Sequence, residues 1–181
     1  LAAELLQKGE LVALPTETVY GIAADARNGE AVKKIFEAKG RPQDNPLIVH
    51  IDQLEMLEGL VGSVPERAKK LAEAFWPGPL TVLLPARACL PQALVNAEGQ
   101  VAVRVTPHPL AAQLAVEAGG PLTASSANLS GGEAVRSPQQ LDPALLDALR
   151  RMAQEMPSAS SDAHMRNQQP LLLGGPLPAG G

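Results

Sequence analysis

Lys39 and Arg41, separated by Gly40 and followed by Pro42, are the residues of this chain whose types and spacing could do chemistry. An ammonium supplies a compact point charge and a guanidinium a planar fork of donors, a combination suited to phosphate or carboxylate. The direction of Lys39 is what makes the pair unusual. Glu30–Lys39 carries Val32, Ile35 and Phe36 at helical spacing, and Gly40 with Pro42 supplies a stop signal, so a helix ending at Gly40 is expected. At about 100° per residue, Lys39 falls within about 60° of each of those three apolar side chains, whereas Lys33 and Lys34 point elsewhere. A cation on the core side needs a partner. Two explanations stay open on pattern alone. Either Lys39 favours the helix dipole and snorkels outward along its stem, or Lys39 and Arg41 converge on an anion.

Further polar groups sit at the ends of apolar runs. Leu11–Leu14 with Pro15 reads as a strand running into the polar turn Thr16–Gly21, and ligands of open α/β sheets collect at such strand ends. The hydroxyls of Thr16 and Thr18 could bind a ligand or cap a local turn. His50 closes the run Leu47–Val49 and could equally be a satisfied structural histidine. Arg104 interrupts Val101–Val105 at an alternating position, so its charge must leave the core or meet an anion there. Ser125–Gly131 follows the run Leu122–Ala124 with hydroxyls and the Asn128 amide, which would serve either as a set of Asx and Ser turns or as ligand donors.

Elements must hold these groups. The runs Leu11–Leu14, Leu47–Ile51, Leu80–Leu84, Val101–Val105 and Leu122–Ala124 predict strands, and helices between them point to an α/β layer structure. Helices are expected over Glu66–Phe75, with Ala68, Leu71, Ala72 and Phe75 inward, and over His108–Ala118. Another is expected from about Pro138, capped by Ser137 and presenting Leu141, Leu145, Leu149, Met152 and Met156. Pro157–Pro170 reads as a loop.

Composition narrows the functional classes. A chain of 181 residues can bury roughly two thirds of its unfolded surface as one domain. With an aromatic share of 2%, its core must be built from Leu, Val, Ile and Ala, and no stacking platform for bases is visible. A formal charge of -4 opposes broad, non-specific attraction to nucleic acid. The single cysteine, Cys89, closes no internal disulfide, which makes a reducing, cytoplasmic setting the expectation. No run reaches the roughly 20 apolar residues of a membrane helix. There is neither a GxxxxGK[ST] loop nor a GxGxxG fingerprint. His50, His108 and His164 show no metal-ligand spacing, so no protein-built metal site is expected.

The order and spacing of PTETVYG, AKGRPxxNPLIVH, FWPGPLT, VAVR and SSANLSG resemble the YrdC/TsaC family, over most of the chain from about Leu5 to Gly131. The resemblance implies a three-layer α/β fold with a twisted mixed sheet flanked by helices around a concave site. It also implies an L-threonylcarbamoyladenylate synthase, a nucleotidyltransferase that uses L-threonine, bicarbonate and ATP and serves tRNA modification. Carried over residue by residue, Lys39 and Arg41 become the catalytic pair. ATP falls to Lys39, Arg41, Ser126 and Asn128, and threonine to Thr16, His50 and Arg104. Magnesium would be held mainly by phosphates. A separate threonylcarbamoyl transferase machinery would act downstream, a weak contact with tRNA or double-stranded RNA stays open, and no membrane is involved. The rival of a different class is a non-catalytic module of the same fold that grips double-stranded RNA or tRNA. After Gly131 the sequence departs from the family's pattern: Gly174-Gly175-Pro176-Leu177-Pro178 is followed by Ala179, where the family runs into a Ser-Thr strand and an Arg-Pro-Gly. One domain over 1–181 is therefore expected, without the family's C-terminal strand segment that would normally help bind nucleotide.

Overall fold

Seven strands form one mixed sheet in a computed structural model of the chain, which describes residues 1–16, 18–154 and 171–172. The expected α/β class is what is found. In chain order the elements are α1 (Ala2–Gln7), β1 (Val12–Pro15), β2 (Tyr20–Asp25), α2 (Gly29–Lys39), β3 (Ile48–Ile51), α3 (Glu66–Phe75), β4 (Val82–Pro85), β5 (Gln100–Val105), α4 (Pro109–Ala118), β6 (Leu122–Ser126), α5 (Pro143–Gln154) and β7 (Leu171–Leu172), with short 3-10 turns between. The strand order is β4-β5-β3-β6-β2-β1-β7. Among the pairings only β3 with β5 is parallel.

Alternation along the strands divides the sheet into two faces. Val49 and Ile51 of β3, Val101, Val103 and Val105 of β5, and Ile22 and Ala24 of β2 join the larger core with α2 and α5. On the opposite face, Val12, Leu14, Ala23 and Leu122 pack against Leu6 of α1 and Ala111, Leu114, Ala115 and Ala118 of α4. Helix–sheet–helix is thus the layer order. The second helical layer contacts β1, β2 and β3. Further along the same face, Ile48, His50, Ala102, Arg104, Ala124 and Ser126 remain half-buried and Leu83 is exposed. The candidate site lies there.

Several expectations need correcting. The turn read over Thr16–Gly21 is shorter, because Tyr20 and Gly21 already belong to β2 and pair with Pro15 and Leu14. Ser125 and Ser126 end β6 rather than forming the turn after it. Only Ala68 and Ala72 of the expected α3 stripe turn to the core, while Leu71 is 39% and Phe75 57% exposed. The helix shares an apolar pocket with β4, the edge strand, and among the described residues no further strand lies beyond it to cover those two. The last helix does not start near Pro138. Pro138–Gln140 is a separate 3-10 turn with no side-chain cap from Ser137, and α5 begins at Pro143. Proline disfavours helical geometry in the residue before it and is itself well suited to a first helical position. Asp142 is the cap instead, its Oδ1 accepting from the Ala144 N–H at 2.8 Å. Leu141, Leu145 and Leu149 are buried as expected; the Met152 side chain, Met156, Pro157–Pro170 and Gly174–Gly181 lie outside what is described.

Because the Asp142 side chain caps a helix and that of Ser137 caps none, Asp142→Ala should lower unfolding stability by about 1 kcal/mol and Ser137→Ala by little. Urea denaturation of the two variants measures the difference.

Candidate functional site

Helix α2 delivers its last residue into the protein rather than to solvent. Asn28 opens the helix by accepting from the Glu30 and Ala31 N–H groups, and Gly40 closes it at φ 58°, a left-handed conformation that glycine adopts without strain. Ala31, Val32, Ile35 and Phe36 fix the buried face, and Lys39 comes with it at 2% exposure. The Lys39 Nζ donates to the Ser126 carbonyl at the end of β6. Among the described residues no carboxylate pairs with it. Burial, with a smaller contribution from the charge of Arg41, lowers its pKa from 10.5 to about 8. Lys39 therefore does not snorkel to solvent, and the inward direction is confirmed.

Arg41 is held by the turn it starts. Its Nε donates to the Asn45 carbonyl at 3.0 Å and its Nη2 to the Pro46 carbonyl at 3.3 Å. Burial lowers its pKa from the usual arginine value. In the β3–β6 register, Ile48 faces Ala124, which continues to Pro46 opposite Ser126. The bonds of Arg41 thus hold the chain beside the carbonyl that Lys39 uses.

The stretch after β6 is pinned on both sides. The Ser130 N–H donates to the Lys39 carbonyl at 3.0 Å, and the Ala127 N–H to the Tyr20 carbonyl at 2.7 Å. Asn128 ties the loop internally, its Nδ2 donating to the Leu129 carbonyl at 2.8 Å and the Gly132 carbonyl at 3.0 Å. Its Oδ1 is buried, with no hydrogen-bond partner among the described residues. The turn explanation for Asn128 is therefore real, and one acceptor is left over.

Thr16 stands at the mouth of the same strands. Its Oγ1 donates to the Val19 carbonyl at 2.7 Å, and its methyl would lie 3.7 Å from a Cβ added at Gly21. Such a Cβ would also come within 3.3 Å of the Ser125 carbonyl, so glycine keeps this end of the face open. His50 and Arg104 are direct neighbours in the parallel β3–β5 ladder, on the open face and one pleat repeat, about 7 Å, beyond Ile48 and Ala102. The Arg104 Nε donates to Thr81 Oγ1 at 3.0 Å. The expected residues thus form two groups, Lys39, Arg41, Ser126 and Asn128 around the end of β6, and His50 with Arg104 along the same face. Two features carried no functional assignment in sequence. They are the small residues Gly21, Ala102 and Ala124 that clear the face, and Thr81, whose position depends on strand register. Among the described residues no group of three His, Cys, Asp or Glu could hold a metal, and no helix is long and apolar enough to cross a membrane.

At the C-terminal end of β6, a buried ammonium with no carboxylate partner among the described residues, a guanidinium and a tightly turned loop come together in an α/β domain, an arrangement whose chemistry suits an anionic ligand. Residues 4–162 match the profile of the Sua5/YciO/YrdC family, described as telomere recombination, and the chain belongs to that family. It is 58% identical over 134 residues to a protein named threonylcarbamoyl-AMP synthase from Bacillus subtilis, covering 72% of this chain and 38% of that protein. The crystal structure of Pyrococcus abyssi Sua5 complexed with L-threonine superposes with a TM-score of 0.74 at 48% identity, over 77% of this chain and 41% of that one. Escherichia coli YciO shares the fold, with a TM-score of 0.68 at 23% identity over 77% of this chain and 68% of its own. The chain spans less than half the length of the first two proteins.

Proposed function

We propose that this domain is an L-threonylcarbamoyladenylate synthase, forming threonylcarbamoyl-AMP and pyrophosphate from L-threonine, bicarbonate and ATP. The observation that carries the proposal is Lys39, a buried cation without a described counter-charge at the C-terminal end of β6. Uncompensated buried charge is costly, so its retention is best explained by an anion that arrives with substrate. The name of the Bacillus relative, and the threonine in the Pyrococcus structure, support threonine and its adenylated product.

In the proposed reaction the threonine amine condenses with bicarbonate, losing water, and a carbamate oxygen attacks the α-phosphorus of ATP. The new P–O bond forms as the bond to pyrophosphate breaks. Three anionic groups meet, and there is no covalent intermediate on the protein. Lys39 and Arg41 would offset the charge gathering on phosphorus, Ser126 and Asn128 would seat the nucleotide, and Thr16, His50 and Arg104 would orient threonine. Fixed donors in a site that needs no reorganisation are the main source of rate here, with alignment supplying much of the rest. Magnesium belongs to the proposal as an ion carried on the phosphates with water, since such ions need few protein ligands. A cytoplasmic setting and a downstream transferase acting on tRNA complete it.

Pyrophosphate release, measured with each substrate omitted in turn, tests the assignment. Release should require threonine, bicarbonate and ATP together; equal release without threonine overturns it.

A further inference from the structure

We infer that Thr81 is a positioning residue that sets the plane of the Arg104 guanidinium on the open sheet face. The inference rests on the proposed role of Arg104 toward threonine. Val82 of β4 is the register partner of Val103 in the antiparallel β4–β5 pair, so Thr81 lies opposite Arg104, with both side chains on the face that carries His50 and Ala102. The contact is realised: Arg104 Nε donates to Thr81 Oγ1 at 3.0 Å. Since Nε–H lies in the guanidinium plane, an in-plane acceptor fixes rotation of the whole fork, and a bidentate grip on a carboxylate depends on that rotation.

Thr81 is itself held rigidly. The Trp76 indole Nε1 donates to the Leu80 carbonyl at 2.7 Å, one residue before it, and the Gly78 N–H donates to the Val105 carbonyl at 3.1 Å, one residue after Arg104. At Gly78 an added Cβ would stand 2.3 Å from the Phe75 carbonyl, so the turn closes only with glycine there. The run FWPGPLT thus builds a bracket tied to itself by the indole and to β5 one residue after Arg104, and the Thr81 hydroxyl is the part of it that reaches the arginine side chain. A surface threonine placed for solubility would need neither the indole tie nor the bond to Val105.

The test uses Thr81→Val, which keeps the shape and removes the acceptor, and Thr81→Ser, which restores it. Two readouts separate the positioning role from the assignment of the ligand. In the absence of any ligand, the Arg104 Nε–H signal in NMR, identified by its loss in Arg104→Lys, should be protected from exchange in the parent and in Thr81→Ser and broadened away in Thr81→Val. By calorimetric titration, L-threonine affinity should fall roughly fivefold to tenfold in Thr81→Val and recover to within about twofold in Thr81→Ser, with ATP affinity unchanged. An unaltered Nε–H signal in Thr81→Val overturns the positioning role whatever the ligand. Altered signal with threonine affinity equal to the parent overturns its relevance to threonine. A parent protein that binds no threonine, with the Nε–H result as expected, sinks the substrate assignment and leaves the positioning role standing.

Discussion

Lys39→Met should abolish pyrophosphate release while leaving the protein as stable as before or more so. Methionine keeps most of the volume of the lysine stem, which is packed at 2% exposure, so the substitution removes the charge without opening a large cavity. Loss of one fixed cation aimed at developing phosphate charge costs on the order of a hundredfold to a thousandfold in rate. On the stability side, a pKa lowered from 10.5 to about 8 means that folding discourages the proton. The shift corresponds to on the order of 3 kcal/mol at neutral pH. Against that stands the lost hydrogen bond to the Ser126 carbonyl, worth about 1 kcal/mol net. That carbonyl also accepts from the Asn128 N–H at 2.9 Å, so it keeps a partner. The balance favours the variant by up to about 2 kcal/mol.

The sign can be checked by pH. Between about 8 and 10.5 the unfolded chain holds more protons at this lysine than the folded one, so the parent gains stability as pH rises through that window. Below about 8 both states carry the proton and the cost is present in full; above 10.5 neither does and the cost is gone. Urea denaturation of parent and Lys39→Met from roughly pH 7.5 to 10 should therefore show the advantage of the variant shrinking steadily, other titrating groups cancelling in the difference. Full activity in the variant, a lower stability at pH 7, or a difference that stays flat with pH would each show that Lys39 is an ordinary packed side chain.

That prediction could begin from the sequence because a helix converts spacing into direction. Val32, Ile35, Phe36 and Lys39 share one face whatever surrounds them, and Gly40 marks where the helix must end. The buried valines of β5 and the place of Arg104 on its other face were legible for the same reason, since a strand has period two. What was not legible depends on partners distant in sequence. Strand β2 contains Gly21, Ala23 and Ala24, residues with little strand preference, and it is a strand because β1 and β6 hydrogen-bond to it on either side. Pairing also decides that Thr81 meets Arg104, that Lys39 reaches a carbonyl rather than the hydroxyl of Ser126, and that Arg41 spends donors on its own turn. Leu71 and Phe75 show the complementary failure: helical spacing puts them on one face with Ala68 and Ala72, but the helix lies at a sheet edge where no described strand covers them. Sequence thus names the candidate residues; long-range register determines which atoms of each are available.

Availability of atoms is the basis of the remaining large effect, expected from Asn128→Asp. The two side chains have nearly the same shape, but an ionised carboxylate has no donor, and the Asn128 Nδ2 is the donor that binds the Leu129 and Gly132 carbonyls at 2.8 and 3.0 Å. In the variant, acceptors would face acceptors at both contacts. The loop would loosen where its Ser130 N–H meets the Lys39 carbonyl, and a new negative charge would stand where ATP phosphates are proposed to lie. Each lost tie is worth on the order of 1–3 kcal/mol, so ATP affinity should fall by about a hundredfold or more, with stability lowered by about 1–3 kcal/mol. Asn128→Ala separates the causes, because it removes the ties without adding charge and should cost about tenfold in ATP affinity. The extra loss in the aspartate variant is electrostatic and should shrink as salt is raised. A carboxyl pressed against two carbonyls has a folded pKa raised above its unfolded value, so it favours folding when protonated, and the instability of Asn128→Asp should ease as pH falls toward about 4. Calorimetric titration of ATP at two salt concentrations decides among the outcomes. Equal affinities in parent and aspartate variant would remove Asn128 from the nucleotide site. Equal losses in the alanine and aspartate variants would mean that the loop ties matter and that the charge lies too far from the phosphates to be felt.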